Sequence, residues 1–356
     1  MEIQRNIILA PYTTFKIGGP AKFFCIVKNA EELQEALKFA KDKKLEPFIL
    51  GGGSNVLISD EGFDGLVAKI DFKGVKVVLE NDQKVILQIA SGEIWDKIVE
   101  MAVQNGWWGI ENLSHIPGTM GGFAVQNVGA YGQEASQIIE RVIAFDTESK
   151  NIRTFKNQEC QFGYRKSVFN TGGKGRFVIL EIVLKLNKKS KPNLGYKELK
   201  EKFRNTIPTL TEIREAVVEI RNKKFPFPIE GKNGNAGSFF KNPILNNEEY
   251  QTLLSKIGRD FGEEMVKKIE QKKFLENSGQ IKIPAAFLID LCGLKSLEFK
   301  GAAINYIQPL VIVNKTGKAT AKEVFELAKS VRKTVFDQTG IKLTFEPELV
   351  GFSKAE

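Results

Sequence analysis

KFFCIVKNAEELQEALKFAKDKKLEPFILGGGSN, residues 22–55, decides the architecture of this chain. Residues 22–27 form an apolar run that reads as a strand. Asn29 then caps a helix, with Glu32 three residues on as the reciprocal partner and Leu33, Ala36, Leu37 and Ala40 at helical spacing. A second strand, residues 47–50, follows directly and runs into Gly51-Gly52-Gly53-Ser54-Asn55. This is a β-α-β unit whose glycines expose backbone N–H groups able to cradle a phosphate. Two familiar phosphate loops are excluded by spacing. A Walker loop needs Gly-Lys-Ser/Thr after four residues, and a dinucleotide fingerprint starting at Gly51 needs glycine or alanine where Val56 stands. A strained turn is the alternative, but three consecutive glycines cost much unfolded-chain entropy for a turn alone, and phosphate binding is favoured.

Working outward, 356 residues exceed what one core holds, and two or three domains are expected. Hydrophobic content of 42% with 27% charged residues is that of an ordinary globular protein. No apolar run approaches membrane-spanning length, and Met1-Glu2-Ile3-Gln4-Arg5 lacks the order of a signal peptide, so a cytoplasmic location with no membrane partner is expected. Cys25, Cys160 and Cys292 are odd in number and widely spaced, as free thiols are, and a single histidine, His115, excludes the usual metal-ligand clusters. The net charge of +9 is spread over short lysine groups with no aromatic-interleaved stripe. That distribution argues against nucleic acid and leaves a polyphosphate ligand or a merely solvated surface as its explanation.

Beyond the glycine loop, strands are expected at residues 75–79 and 85–90, then a helix over 94–104 with Ile94, Ile98 and Met101 on one side. Residues 106–132, GWWGIENLSHIPGTMGGFAVQNVGAYG, hold seven glycines among aromatic and amide residues. So long a segment with so little periodicity reads as a functional loop system, its apolar planes suited to a flat ring system and its pyrophosphate. His115 within it is given no role. Residues 141–146 and 152–155 read as a hairpin, and 177–186 as a strand buried on both faces. Between them, Arg165 beside Tyr164 is either a two-pronged carboxylate binder or a surface arginine. Residues 187–193 read as a loop leading to Tyr196. Thr209 with Glu212 starts a helix bearing Ile213, Ala216, Val217 and Ile220, ended by Pro226 and Pro228. Further on, 285–292 reads as a buried helix, 310–314 as a strand, and 320–339 as a long helix opened by Thr320 with Glu323 and closed by Gly340. A final strand is expected to lead into Glu346-Pro347-Glu348.

The densest chemistry lies in GNAGSFFKNP, residues 234–243. Gly234 and Gly237 permit backbone angles closed to other residues and close approach of a ligand, and Ser238 brings a hydroxyl that can give or take a proton. A tight turn followed by a core Phe-Phe pair is the other reading of the same ten residues.

Taken together, the motifs resemble the UDP-N-acetylenolpyruvoylglucosamine reductase (UDP-N-acetylmuramate dehydrogenase) family, flavoenzymes of bacterial peptidoglycan precursor synthesis. The resemblance covers nearly the whole chain. It is carried by TTFKIGGPA (13–21), GGGSN (51–55), IPGTMGG (116–122) with QNVGAYG (126–132), FGYRKS (162–167), GNAGSFFKNP (234–243) and the terminal EPE (346–348). It implies an α+β chain: a two-subdomain FAD-binding fold of the vanillyl-alcohol-oxidase/PCMH type followed by an α/β substrate-binding domain. The expected bounds are 1–70, joined by 341–356, for the first FAD-binding subdomain, 71–212 for the second and 213–340 for the substrate domain. Non-covalent FAD is implied, held by Gly51, Gly52, Gly53, Ser54, Asn55, Gly118, Thr119, Gly122, Gln126, Asn127, Gly129, Ala130 and Tyr131. NADPH is implied as hydride donor, and a UDP-sugar as the other partner of a monomer. Ser238 is implied as proton donor, with Arg165 and the C-terminal glutamate, Glu348 with Glu346 as the alternative, beside the reacting double bond. Tyr164, Tyr196, Lys224, Asn242 and Gln308 correspond to substrate positions. The chain departs from the family in having Leu349-Val350 where a basic residue commonly follows the catalytic glutamate. Its glycine loop resembles the family's shorter type, whereas Tyr196 resembles the tyrosine on the substrate-covering loop of the other. A flavin oxidoreductase of the same fold with another substrate, and a non-catalytic nucleotide-binding module, are the competing functions.

Overall fold

The computed structural model describes residues 1–226, 231–276 and 279–353, which fall into two compact units. The first comprises residues 1–7, 21–53 and 63–223, and the second residues 8–20, 54–62 and 224–356.

In the first unit, the expected β-α-β element forms. Asn29 accepts a hydrogen bond from the Glu32 N–H at 2.8 Å, and helix Ala30–Asp42 buries Leu33, Ala36 and Ala40. Strands Pro20–Val27 and Pro47–Leu50 are not neighbours, however. Strand Phe63–Ile70 lies between them and pairs parallel with both, giving the order Gln4–Ile8, Pro20–Val27, Phe63–Ile70, Pro47–Leu50. Seven of the eight residues of the inserted strand are buried or half-buried, on both faces, so its alternation is weak and its pairing is decided at long range.

A second sheet is antiparallel, in the order Ile152–Lys156, Ile139–Asp146, Phe177–Asn187, Lys84–Ala90, Val75–Glu80. Strand Phe177–Asn187 sits at its centre and carries Val178, Ile182, Leu184 and Leu186 into the core. Arg176, just before that strand, meets the buried carboxylate of Asp146 with two parallel hydrogen bonds, at 2.9 and 2.7 Å. Arg176 holds the Asp146 carboxyl well below the usual carboxylate range, helped by the Glu148 N–H. The helix Trp95–Gln104 covers the sheet with Trp95, Ile98 and Val99.

In the second unit, helix Ala321–Thr339 supplies the spine of the core through Val324, Phe325, Ala328, Val331 and Val335. The capping box of Thr320 with Glu323 and the left-handed Gly340 (φ +76°) form as expected. Asp60 adds a second cap from across the sequence, its two carboxylate oxygens accepting from the N–H groups of Ala321 and Lys322 at 2.7 and 2.9 Å. Around this helix lie Asn247–Phe261, Glu263–Lys272 and Ala285–Leu291, with the antiparallel strands Glu298–Phe299, Ala302–Ile304 and Ile312–Asn314. The last strand differs from expectation. It is Glu348–Val350, which begins inside the EPE motif rather than ending before it, because it pairs parallel with Val56–Ile58. Pro226 follows the helix Leu210–Lys224 as expected, whereas Pro228 lies outside the described residues.

Cys25 and Cys160 are buried and Cys292 half-buried, and all three are free. Burial pushes their thiols up, to about 11, 12 and 11 respectively, so none is a reactive thiolate near neutral pH.

Because the Asp146 carboxyl is lowered in the folded chain, its contribution to stability is present above its unfolded value near ~3.9 and is lost as pH falls through that value toward the folded one. The urea midpoint of Asp146→Asn should therefore lie below wild type at pH 7, with the gap narrowing at pH 4 and again at pH 3. A gap independent of pH would show that the ion pair is not its source.

Candidate active site

The glycine loop and the long segment 106–132 meet in the first unit through main chain. A Cβ placed on Gly52 would stand 2.6 Å from Gly118 Cα and 3.0 Å from the Thr119 nitrogen, so only glycine permits this approach. A Cβ at Gly51 would lie 3.0 Å from Thr119 Oγ1. The segment expected as a loop system is more ordered than its sequence suggests: it contains the short helix Met120–Val125 and the turn Glu111–Leu113, anchored by Trp95 Nε1 donating to Leu113 O at 2.8 Å.

Three buried oxygens beside these turns, Thr119 Oγ1, Gln126 Oε1 and Ser91 Oγ, have no hydrogen-bond partner among the described residues. Orphaned polar atoms in a buried site need a partner from elsewhere. A hydroxyl donor suits a phosphate oxygen, and an amide oxygen suits a ring N–H. Glycine main chain closed on glycine main chain, with unpaired donors and acceptors at its edge, fits a dinucleotide such as FAD. Gly51, Gly52, Gly53, Gly118, Thr119 and Gln126 are the residues that would hold it there.

Two further residues of QNVGAYG, Asn127 and Gly129, are tied to FGYRKS. Asn127 Nδ2 donates to Gly163 O at 2.9 Å, and the Arg165 guanidinium donates to Gly129 O at 3.2 Å. Arg165 has a left-handed backbone (φ +53°), uncommon for a side chain of its size, in a tight turn closed between Gly163 and Lys166. Its guanidinium lies over the ring of Tyr164 at 5.3 Å, and its carbonyl accepts from Asn170 Nδ2. A half-buried cation is thus held on a strained turn against the Gly129–Ala130 strand. Gly122 is exposed on helix Met120–Val125. Tyr131 is buried, its ring against that of Tyr196.

In the second unit, three distant motifs are joined by main-chain bonds. Phe239 N–H donates to Leu310 O at 2.6 Å on one side, and Phe239 O accepts from Glu346 N–H at 2.9 Å on the other, so the Ser238 segment lies between the 310–311 and 345–346 segments. Asn55 Nδ2 donates to Glu346 O at 3.2 Å and Asn55 O accepts from Glu348 N–H at 3.0 Å. Ser238 and Glu348 are both half-buried, as are Glu346 and Ser54. The two glycines of the Ser238 loop serve different ends. Gly237 has φ +71°, whereas Gly234 lies so close to the Phe15 carbonyl that a Cβ would stand 2.3 Å from it. Phe239 and Phe240 are buried against Phe345, so the core-pair reading holds for these two rings. Asn242 Oδ1 accepts from Ala285 N–H at 2.9 Å, capping the helix Ala285–Leu291. Gln308 stands in a turn fixed by Asn305, and Lys224 is the last residue of its helix.

Sequence reasoning missed a buried polar set in the first unit. Arg221, buried on the same helical face as Ile213 and Val217, donates to His115 O at 2.9 Å and hydrogen-bonds the Tyr131 side chain; desolvation lowers its pKa. Its spacing of four from Val217 was the available signal. Asp96 binds Arg214 with two hydrogen bonds at 2.7 and 3.0 Å and accepts the His115 N–H. His115 Nε2 pairs with Asn222 Oδ1 at 3.0 Å, a structural setting for the one histidine.

Comparison with known proteins agrees with this organisation. The family described as UDP-N-acetylenolpyruvoylglucosamine reductase, C-terminal domain, matches residues 228–350, and the FAD binding domain family matches residues 21–148. The UDP-N-acetylenolpyruvoylglucosamine reductase of Flavobacterium johnsoniae is 41% identical over 355 residues, covering 98% of this chain and 100% of the relative. That of Neisseria meningitidis serogroup A is 38% identical over 349 residues, covering 97% of this chain and 96% of the relative. The crystal structure of UDP-N-acetylenolpyruvylglucosamine reductase from Thermus caldophilus aligns with a TM-score of 0.66 at 25% identity, covering 98% of this chain and 99% of that one. The α+β fold, an FAD-binding part followed by a reductase C-terminal domain, is as the sequence motifs implied. The chain belongs to the UDP-N-acetylenolpyruvoylglucosamine reductase family of FAD-dependent oxidoreductases.

Proposed function

We propose that this enzyme reduces UDP-N-acetylenolpyruvoylglucosamine to UDP-N-acetylmuramate with NADPH as hydride donor. The observation that carries the reading is the junction, in the second unit, of Ser238, the EPE segment and Asn55, three motifs joined by main-chain hydrogen bonds although nearly 300 residues separate the first from the last. Bound FAD supplies a two-electron carrier able to take hydride from NADPH and give it to the enolpyruvyl double bond.

The chain's own residues handle charge and protons. As the terminal carbon of the double bond gains hydride, negative charge develops toward the substrate carboxylate. Arg165 is the cation that stabilises it: a guanidinium pre-fixed on a strained turn needs no reorganisation as the charge appears. The carbon next to the carboxylate then takes a proton from the Ser238 hydroxyl. A serine is a poor acid in water, but an enol-like anion is basic enough to take its proton when the oxygen is held by rigid main chain on both sides. Glu348 orients the intermediate. Tyr164, Tyr196, Lys224, Asn242 and Gln308 bind the UDP-sugar, with Lys224 suited to the diphosphate. Three unpaired thiols of high pKa are consistent with a reducing cytoplasm.

Purified protein should be yellow, release FAD on denaturation, and oxidise NADPH rapidly only when UDP-N-acetylenolpyruvoylglucosamine is added. Colourless protein that cannot be reconstituted with FAD would sink the reading. Ser238→Ala should leave flavin reduction by NADPH intact while slowing substrate reduction by about 10²- to 10⁴-fold. Equal half-reaction rates in stopped-flow would remove Ser238 from its role. Gly52→Ala, which drives a methyl group into the Gly118 main chain, should yield protein with little bound FAD by absorbance at the flavin band.

A further inference from the structure

Asn112 is fully buried in the turn Glu111–Leu113, outside every motif that carries the chemistry above. Its side-chain amide donates both hydrogens to main-chain carbonyls far apart in the sequence, Tyr131 O at 2.7 Å and Asn193 O at 2.8 Å. Asn193 reciprocates: its Nδ2 donates to Gly132 O at 2.9 Å, and its Oδ1 accepts from Gly195 N–H at 3.3 Å. The two segments so joined present Tyr131 and Tyr196 edge to face, with ring centroids 4.9 Å apart. The Asn112 amide cannot be turned over, because its oxygen would then face two carbonyls. It keeps that orientation although Oδ1 has no partner among the described residues, an unfavourable state for a buried acceptor. Behind it, the Asn112 N–H donates to Gln133 Oε1, Gln133 Nε2 donates to Glu111 Oε1, and Glu111 Oε2 accepts from Gly109 N–H, at 3.0, 3.0 and 2.7 Å. The clamp is therefore rigid on its buried side. On its other side the segment packs on an apolar cluster with Trp108, Tyr131 and Ile213 through Leu199, the one fully buried residue of helix Lys197–Lys202, while Leu194, Tyr196 and Phe203 are only partly buried against it and Lys189, Lys191 and Lys197 are exposed.

We propose that Asn112 is a positioning residue, which docks the segment 193–196 onto the Tyr131–Gly132 turn and so fixes where Tyr196 stands for the UDP-sugar. This rests on the reading of Tyr196 as a substrate-binding residue. Asn112→Asp keeps the shape and replaces two donors by acceptors, releasing the segment without touching a reacting group.

The test uses FAD-loaded protein. For Asn112→Asp, trypsin cleavage at Lys188, Lys189 or Lys197 should be about tenfold faster than in wild type, the change expected from losing about one net hydrogen bond. KM for UDP-N-acetylenolpyruvoylglucosamine should rise about tenfold, while NADPH reduces the flavin at the wild-type rate. Asn193→Ala, which removes only the reciprocal bonds, should move cleavage and KM in the same direction by less, and it decides the matter if Asn112→Asp does not fold. Cleavage at the wild-type rate in flavin-loaded variants overturns the proposal, and so does faster cleavage with KM unchanged. A wild-type protein inactive toward that sugar would instead defeat the reading of the reaction, and the proteolysis comparison would still decide the clamp.

Discussion

Main chain packed against main chain, with no side chain between, is the constraint on which both halves of this molecule depend. In the first unit it is Gly52 against Gly118 and Thr119; in the second it is Gly234 against the Phe15 carbonyl. Such an approach brings N–H groups and carbonyls to the surface of a site with no hydrocarbon to screen them, which is what a ligand rich in phosphate and ring nitrogens requires. It also leaves no slack. The orphaned oxygens of Thr119, Gln126 and Ser91 are tolerable only because they stand where that ligand is expected.

Around these contacts, the core does ordinary work. The antiparallel sheet and helix Trp95–Gln104 bury one apolar cluster, and helix Ala321–Thr339 organises another with Phe239, Phe240 and Phe325. The polar residues are held by this scaffold and not by one another alone. Arg165 rests on the Gly129 carbonyl, the Ser238 segment is gripped on both sides by backbone, and Asn112 reaches two segments from a turn with no exposed residue. Precision in the site therefore derives from the packed elements that hold each polar residue in place.

What the sequence made legible was whatever is decided locally. Asn29 with Glu32 and Thr320 with Glu323 marked helix starts, and Gly340 marked an end, because capping is settled within four residues. The motifs from residue 13 to residue 348 identified the family, because glycine, serine and arginine were specified by chemistry and not by packing. Strand Phe63–Ile70 and its insertion between the strands of the β-α-β element were not legible, since the pairing is made with residues up to 43 positions away. The strand Glu348–Val350 was misplaced for the same reason, its partner being Val56–Ile58. Helix Asn247–Phe261 was overlooked despite a complete capping box of Asn246 with Glu249, a signal present but unread. Glu111, Asn112 and Arg221 escaped because a polar residue turned inward looks, in one dimension, like one turned outward.

The second unit is assembled from residues 8–20, 54–62 and 224–356, with Asp60 capping a helix that begins 261 residues later and strand Val56–Ile58 awaiting Glu348–Val350. Such a unit cannot close as the chain emerges from the ribosome. Its early pieces must remain exposed until almost the whole polypeptide has been synthesised, whereas nearly all of the first unit is available once residue 223 is out. Folding during synthesis is thereby ordered in time, the glycine-rich unit first and the serine-bearing one last, and a truncated chain would retain the former without the latter.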